Sequence, residues 1–482
     1  MNKTFNQAGR LAALSLSVML SALSPQTEAA ITGVSGTTFN FVACPFSIPT
    51  PDGATVPMWG YGIGTTAADC ATAQYPGPTL ILNQGDTITV NLRNVALPVA
   101  TSIDFPGQQN QAATGGVKGL LAMEAPADGG VSTVSYTFTA TNPGTYLYES
   151  ATNPALQTEM GLMGAIVVRP TGFNNTPVLS NGVHKANVAS TAYGSASTHY
   201  DYEYLFFLSE IDPLLHSQYT QGHFQQVDNT QYQPVLWFIN GRNFPDTLAG
   251  DNAPSYPHQP YGIVPQTRPG EKVLLRMVGA SRHPHPFHTH GSNSHIIARD
   301  GRLLSTDGIN ADLGRSDYTL MTYPGQTTDA IFFWTGMQMG WDLYGDPAGD
   351  ITQGIPAHNC IDTQNNETAV AGADGYDDVT WEWCANHGQA LNKKIVLPST
   401  QDLTFGGFYS GTPFLGELGA LPPGEGGLNP TAAYLYAWHS HSEKELINND
   451  IFPGGMFTAL LIHPYFTPDA VNGGLKELQL AR

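Results

Sequence analysis

The chain has 482 residues and a formal net charge of −20, yet only 12% of its residues are charged. Its basic residues form no cluster in the sequence, which argues against nucleic acid and anionic membrane surfaces as partners. The length exceeds what one ordinary core accommodates, so we expect at least two domains. With 52 glycines and 35 prolines, the composition predicts a turn-rich, all-β protein rather than a helical one.

The N-terminus has the features of a secretory signal peptide over residues 1–30. Lys3 and Arg10 form a basic start, residues 11–23 are mostly apolar, and small residues end at Ala30. The apolar stretch is too short and too interrupted by serine for a transmembrane helix, and we predict no later membrane span. We therefore expect an exported protein of the periplasm or the extracellular space.

Short β-type runs between turns fill residues 31–170 and predict a first β-sandwich domain. Within it, residues 87–94 alternate polar and apolar side chains, as a half-buried strand does. Residues 171–197 are polar, which suits a surface linker. The same order of elements returns in residues 198–482, which predicts a second copy of the unit. A long insertion rich in Gly, Asp and Asn interrupts this copy at about residues 335–430.

Four cysteines follow the predicted signal peptide. Cys44 and Cys70 lie close in sequence, as do Cys360 and Cys384. In an oxidising compartment the simplest of the three possible pairings is Cys44–Cys70 with Cys360–Cys384. Thiolate metal ligands are the alternative, but they need a tighter spacing such as CxxC, which the sequence lacks.

Two stretches far apart in the sequence each carry histidines at alternate positions: His288 with His290, and His439 with His441. Alternate residues of an extended strand face the same side, so each pair would present two imidazoles together. Neutral imidazole binds copper, zinc, iron and nickel. Two such strands side by side would form a four-histidine metal pocket. In the alternative, the histidines hydrogen-bond to one another and to backbone carbonyls in a polar core.

The flanks of these histidines resemble the multicopper oxidase family, whose domains are cupredoxin Greek-key β-sandwiches. The resemblance extends over nearly the whole mature chain, and the two HxH motifs with these flanks are its specific part. It implies a divergent two-domain member that binds copper. The matching segments are HPFHTHG at 285–291, HSH at 439–441, Gly-Gly-Met at 454–456 and Ser-Glu-Ile-Asp-Pro at 209–213.

In that family, eight histidines in four HxH pairs hold a three-copper cluster that reduces oxygen, and a separate blue copper accepts electrons from the substrate. The resemblance places His285 and Met456 as weaker candidate ligands at the blue copper position. The cysteine of that position falls on Ser440, and its second histidine falls near Glu445. A hydroxyl cannot supply the thiolate bond of a blue copper site, so none is expected here.

The first copy departs further from the family, because all four of its expected histidines are missing. The first HxH motif falls on residues 104–107 and the second on residues 148–151. Asp104 and Glu149 could offer oxygen ligands there, but the cluster would be half built, so we assign the first domain no metal ligands. The smaller two-domain relatives build the cluster between subunits. A homo-oligomer is therefore a further expectation by analogy, although this chain has no first-domain histidines to offer a neighbour.

Two hypotheses follow for the function. In the first, the chain is an exported copper-binding oxidoreductase with a reduced, histidine-only copper site that accepts electrons from a small-molecule or metal-ion reductant. In the second, it is a non-enzymatic extracytoplasmic protein that keeps the fold for binding, structure or copper sequestration. The sequence leaves the enzymatic status open, and the two hypotheses separate on turnover of a reductant with oxygen.

Overall fold

The computed structural model describes four long stretches of the chain: residues 31–174, 190–223, 227–337 and 434–463. The predicted signal peptide and nearly all of the predicted insertion lie outside the described residues, as does Cys360 of the second predicted disulfide. Short described pieces complete the set, namely 375, 377, 383–384, and the backbone of strands at 178–180, 183–185, 419–421, 427–429, 466–468 and 475–477.

The strands of the first sandwich lie between Val34 and Arg169, and strands are numbered in chain order. They are β1 Val34–Ser35, β2 Thr38–Pro49, β3 Thr55–Ile63, β4 Gly77–Asn83, β5 Thr87–Asn94, β6 Gln109–Gly115, β7 Val117–Lys118, β8 Met123–Glu124, β9 Val134–Thr139, β10 Gly144–Glu149 and β11 Met163–Arg169. The segment predicted as a linker contains the antiparallel pair β12 Val178–Ser180 and β13 Val183–Lys185.

The strands of the second sandwich and the pieces after it continue the numbering. They are β14 Tyr202–Ile211, β15 Leu236–Ile239, β16 Gln266–Thr267, β17 Lys272–Gly279, β18 His285–Thr289, β19 Ser294–Arg299, β20 Arg302–Leu303, β21 Arg315–Asp317, β22 Thr319–Thr322, β23 Thr327–Phe333, β24 Gly419–Leu421, β25 Gly427–Asn429, β26 Tyr434–Ser440, β27 Phe457–Ile462, β28 Phe466–Pro468 and β29 Leu475–Glu477.

Helices are few and short in the described part of the chain. The α-helices are α1 Pro154–Gln157 and α2 Pro213–Thr220, and the 3-10 turns are Ala67–Thr72, Ala196–Thr198, Asn229–Gln231, Asp246–Leu248 and Glu443–Leu446. No described helix has the length and apolar character needed to cross a membrane.

Each sandwich is built from two sheets. The first pairs β1-β4-β11-β10 with β3-β2-β5-β9-β6, and the second pairs β15-β14-β17-β23-β19-β20 with β16-β27-β26-β18-β22. Alternating side chains fill each interior, as in β5, where every second residue is buried. The predicted all-β fold with two cupredoxin-like sandwiches is confirmed. The predicted domain limits stay a prediction.

The two sandwiches are joined by an apolar layer and by a buried ionic network. Leu147 and Met163 of the first sandwich pack with Leu205 and Phe207 of the second. Beside this layer, the buried carboxylate of Glu203 on β14 accepts hydrogen bonds from two arginines. One arginine belongs to the first sandwich and the other to the second, so the network links the two sandwiches across the junction.

The arginines are Arg169 of β11 and Arg276 of β17, with N···O distances of 2.6 and 2.8 Å to Glu203. Burial by itself would raise the pKa of Glu203, but the two guanidinium groups outweigh burial and lower it to about 2. Glu203 is therefore ionised throughout the physiological range.

The first predicted disulfide is confirmed. Cys44 on β2 bonds to Cys70 in the 3-10 turn Ala67–Thr72, with the two Cα atoms 5.6 Å apart. The bond ties this surface turn to the first sandwich.

Candidate metal centre

The two histidine stretches form neighbouring antiparallel strands. In the register of β18 and β26, His288 lies opposite His439, and Phe287 and Thr289 lie opposite Ser440 and Trp438. Phe287 and Trp438 are fully buried in the core of the second sandwich. Because successive side chains of a strand point to opposite faces, His288 and His439 point away from that core.

All four predicted histidines come together on this outer face. The ring centre of His288 lies 4.7 Å from that of His290, 5.6 Å from His439 and 5.0 Å from His441. The Nε2 atoms of His290 and His439 are 3.1 Å apart. His441 is exposed and His439 is buried, so the cluster lies at the protein surface with one side sheltered.

Backbone carbonyls fix the tautomers of two of these rings. Nδ1 of His288 lies 2.8 Å from the carbonyl oxygen of Tyr318, and Nδ1 of His439 lies 2.7 Å from that of Ser440. A carbonyl oxygen only accepts hydrogen bonds, so each Nδ1 carries the proton and each neutral ring keeps its lone pair on Nε2. Metal-binding histidines use this arrangement to aim the ligating nitrogen.

The environment also favours the neutral form of these imidazoles. Burial is the main cause that lowers the pKa of His290 to about 3, and the neighbouring rings of His439, His288 and His441 lower it further. Burial likewise lowers the pKa of His439 to about 4 against the opposing effect of its hydrogen bond to Ser440, and it lowers the pKa of His288. Near neutral pH the three rings are uncharged, which is the form that binds a transition metal.

The donor set fits a transition-metal ion such as copper, which accepts imidazole nitrogen. Two nitrogens bound to one ion at about 2.0–2.1 Å lie about 2.9–3.4 Å apart at angles of about 90–109°. The Nε2 atoms of His290 and His439 meet this condition. Among the described residues, no three His, Cys, Asp or Glu side chains converge as a metal ion would require. To supply a third ligand, the ring of His288 or His441 would have to turn toward the Nε2 atoms of His290 and His439.

His285 lies on the opposite side of the same strands, in the interior. Its Nε2 atom is 2.9 Å from Oε2 of Glu210, and its Nδ1 atom is 3.1 Å from Oε2 of Glu445. Burial alone would lower the pKa of His285, but these hydrogen bonds outweigh it and raise the pKa to about 9. The ring is therefore an imidazolium between two carboxylates and does not join the four-histidine cluster.

Ser440, Glu445 and Met456 surround the same interior position. The hydroxyl of Ser440 donates to Oε2 of Glu445 at 2.6 Å. Met456 is fully buried in the core, and its backbone contacts both Ser440 and Glu445. The structure thus gathers the residues that fall at the family's blue copper position. A hydrogen-bonded ionic network occupies the place where thiolate and imidazole ligands would be needed.

Sequence reasoning missed two contributors to these sites. Glu210 lies in the segment 209–213, which resembles the family. Its acidic side chain at the end of an apolar run could have indicated a buried carboxylate near the site. The Tyr318 carbonyl has no signal in the sequence, because every residue carries such an acceptor.

The first sandwich places two carboxylates at the equivalent position. Asp104 and Glu149 form an antiparallel bridge, and Glu149 lies opposite Met163 as His439 lies opposite Phe457. Burial, followed by the charge of Asp104, raises the pKa of Glu149. The two strand pairs are therefore equivalent. This supports the alignment that places Asp104 and Glu149 where the family has histidines.

Fold and site together define a two-sandwich β protein with four imidazoles gathered on one outer face of the second sandwich. The family model described as multicopper oxidase matches residues 64–172. Copper resistance protein A of Escherichia coli is 27% identical over 242 residues, which cover 48% of this chain and 38% of that protein. L-ascorbate oxidase of Cucurbita maxima is 27% identical over 176 residues, 35% of this chain and 25% of that protein.

The matched segments thus cover well under half of either relative's length. A solved structure, the blue copper oxidase from Nitrosomonas europaea, aligns over 92% of this chain and 98% of its own, with 16% identity and a TM-score of 0.47. The chain is therefore similar to multicopper oxidases, and the family model matches part of its first sandwich. Copper is the cofactor that this similarity implies.

Proposed function

We propose that this chain is an exported copper-binding protein that uses its four-histidine cluster as an oxidoreductase site. The observation that carries the proposal is the 3.1 Å approach of the His290 and His439 Nε2 atoms, with the rings of His288 and His441 beside them. The bound copper would supply one-electron exchange with a small-molecule or metal-ion reductant.

The residues of the chain have separate roles in this proposal. His290 and His439 would hold the ion, and His288 and His441 would complete its coordination. The carbonyls of Tyr318 and Ser440 keep the Nδ1 protons of His288 and His439, which leaves the lone pair of each ring on Nε2 for the ion. The exposure of His441 leaves one side of the cluster open to a reductant.

Copper sequestration without turnover is the second candidate function. The observation in its favour is Ser440, which stands where the family has the cysteine that links blue copper to the oxygen-reducing cluster. With no thiolate there, the family's route for electrons is absent, and the cluster would have to accept electrons directly.

Metal analysis, calorimetry and electron paramagnetic resonance (EPR) of the copper-loaded protein test the proposal. We expect at least one tightly bound Cu(II) per chain, a nitrogen-rich EPR signal and no intense blue colour. The matched control is His295→Ala, since His295 is a partly exposed histidine on β19 away from the cluster. If the wild type bound Cu(II) no more tightly than the double variant His288→Ala/His439→Ala, copper binding at this site would be refuted. Bound copper without oxygen uptake in the presence of phenols, ferrous or cuprous ions would favour sequestration.

A further inference from the structure

The histidine cluster lies between two side-chain clamps that join β18 to β26. At one end, Nε1 of Trp438 donates to the carbonyl oxygen of His290 at 3.0 Å; this pair is the Trp438 clamp. At the other end, Oε2 of Glu445 accepts from the hydroxyl of Ser440 at 2.6 Å and from Nδ1 of His285 at 3.1 Å; this trio is the Glu445 clamp. Each clamp joins one strand to the other.

The Glu445 clamp acts on residues adjacent to the histidines. Ser440 lies between His439 and His441, so any movement of Ser440 along the strand moves both imidazoles. The backbone N–H of His441 donates to the carbonyl of Pro286 at 2.7 Å, directly beside His285. The position of β26 relative to β18 at the cluster is therefore set where Glu445 joins them.

The clamp is anchored to the opposite sheet of the sandwich through Glu210 on β14. Oε2 of Glu210 accepts from Nε2 of His285 at 2.9 Å. Its Oε1 atom accepts from the Tyr232 hydroxyl at 3.0 Å and from the backbone N–H groups of Arg282 and His283 at 2.8 and 2.9 Å. Three of these four hydrogen bonds come from residues 282–285 at the start of β18, so Glu210 ties this end of β18 to β14.

Burial makes this network stiff. Glu210 and His285 are 0% exposed, and Glu445 is 4% exposed. Water does not replace a broken hydrogen bond at such a site, so displacing one member leaves charged groups desolvated and unpaired. The network therefore resists shear of the two strands.

We propose that Glu445 is a positioning residue of the copper site: by clamping Ser440 to His285, it sets the register of the two strands and the spacing of the imidazoles. The inference rests on the proposed function for its relevance to copper. The contacts of the clamp are all between residues of the chain, so its effect on the spacing of the imidazoles can be measured without copper.

Two variants of Glu445 test this role. Glu445→Ala removes the acceptor for both strands, and we expect Cu(II) affinity to fall about 10- to 100-fold, as for other supporting residues of metal sites. The EPR signal should broaden into several species. In Glu445→Gln the amide carbonyl still accepts from Ser440 and His285, so affinity should stay within about threefold of wild type.

The matched control is Glu203→Gln, which disrupts the other buried ionic network at the sandwich junction. We expect a comparable loss of the free energy of unfolding, with Cu(II) affinity unchanged and the EPR signal that of the wild type. If Glu203→Gln weakens copper binding as much as Glu445→Ala does, the effect reflects general destabilisation and the positioning role is overturned.

A metal-free measurement separates this inference from the proposed function. In copper-free protein with labelled histidine, we expect nuclear Overhauser contacts between the rings of His290 and His439, whose Nε2 atoms lie 3.1 Å apart across the two strands, and we expect Glu445→Ala to weaken them. Unchanged contacts between the two rings in Glu445→Ala would overturn the positioning role even if copper bound. If the wild type bound no copper, the proposed function would fail while the ring spectra still decided the role of Glu445. Should Glu445→Ala not fold, Ser440→Ala removes the β26 half of the clamp and is expected to weaken the same ring contacts.

Discussion

The two sandwiches place opposite chemistry on equivalent strand pairs. Asp104 faces Glu149 in the first, and His288 faces His439 in the second. Burial favours the uncharged form in both, since it raises the pKa of Glu149 and lowers those of His288 and His439. The consequence differs, because the metal-binding form of imidazole is the neutral one that burial favours, whereas the metal-binding form of a carboxylate is the charged one that burial disfavours. Side-chain identity, and not the backbone, thus separates the proposed metal site from its counterpart.

The largest expected effect is a direct test of this difference. The double substitution His288→Ala/His439→Ala should weaken Cu(II) binding at least about a thousandfold, or about 4 kcal/mol, because two ligating nitrogens are removed. The counterpart Asp104→Ala/Glu149→Ala should leave affinity unchanged. Calorimetric titration of both variants measures the effect, and equal losses would show that the two positions do not differ in the way proposed.

A second test concerns the junction that holds the two sandwiches in place. The lowered pKa of Glu203, about 2 against an ordinary 4.5, corresponds to on the order of 3 kcal/mol of stability. This contribution is fully present above pH 4.5 and is lost as the pH falls toward 2. Glu203→Gln should therefore be less stable than wild type by about this amount at pH 7 in urea unfolding. A difference just as large at pH 2.5 would contradict the assignment.

A third test transfers the chemistry of the second sandwich to the first. Asp104→His/Glu149→His places two imidazoles on an equivalent strand pair, so we expect about one additional, weaker Cu(II) per chain. Metal analysis after dialysis and EPR count the added ion, with Asp104→Asn/Glu149→Gln as the control. If no further copper binds, the backbone of the first sandwich does not present the pair as the second one does.

The smallest expected effect is the relief of the carboxylate pair in the first sandwich. Burial and the charge of Asp104 raise the pKa of Glu149, so its ionised form destabilises the fold as the pH rises above 4.5. Glu149→Gln should be more stable than wild type at pH 7 by about 0.2–1 kcal/mol, and equally stable at pH 4. A less stable variant at pH 7 would reveal a favourable role for the carboxylate.

The main features of the fold and the composition of the histidine cluster were predictable from the sequence. Alternation of polar and apolar residues predicted strands such as β5, and the spacing of His288 with His290 placed both on one face of a strand. The serine at position 440, where a blue copper site needs cysteine, was enough to exclude such a site. These features depend on local periodicity and residue identity, which a sequence displays directly.

The arrangement of acceptors around the histidines was decided by the tertiary structure. The carbonyl that orients His288 belongs to Tyr318, and the carboxylates around His285 belong to Glu210 and Glu445. Each of these partners lies far in sequence from the histidine that it contacts. A backbone carbonyl carries no residue signature, and a carboxylate partner is chosen by strand pairing across the sandwich. The sequence by itself determined which side chains can bind a metal, whereas only the fold decided which imidazoles stay neutral and meet, because burial and hydrogen-bond partners arise from long-range packing.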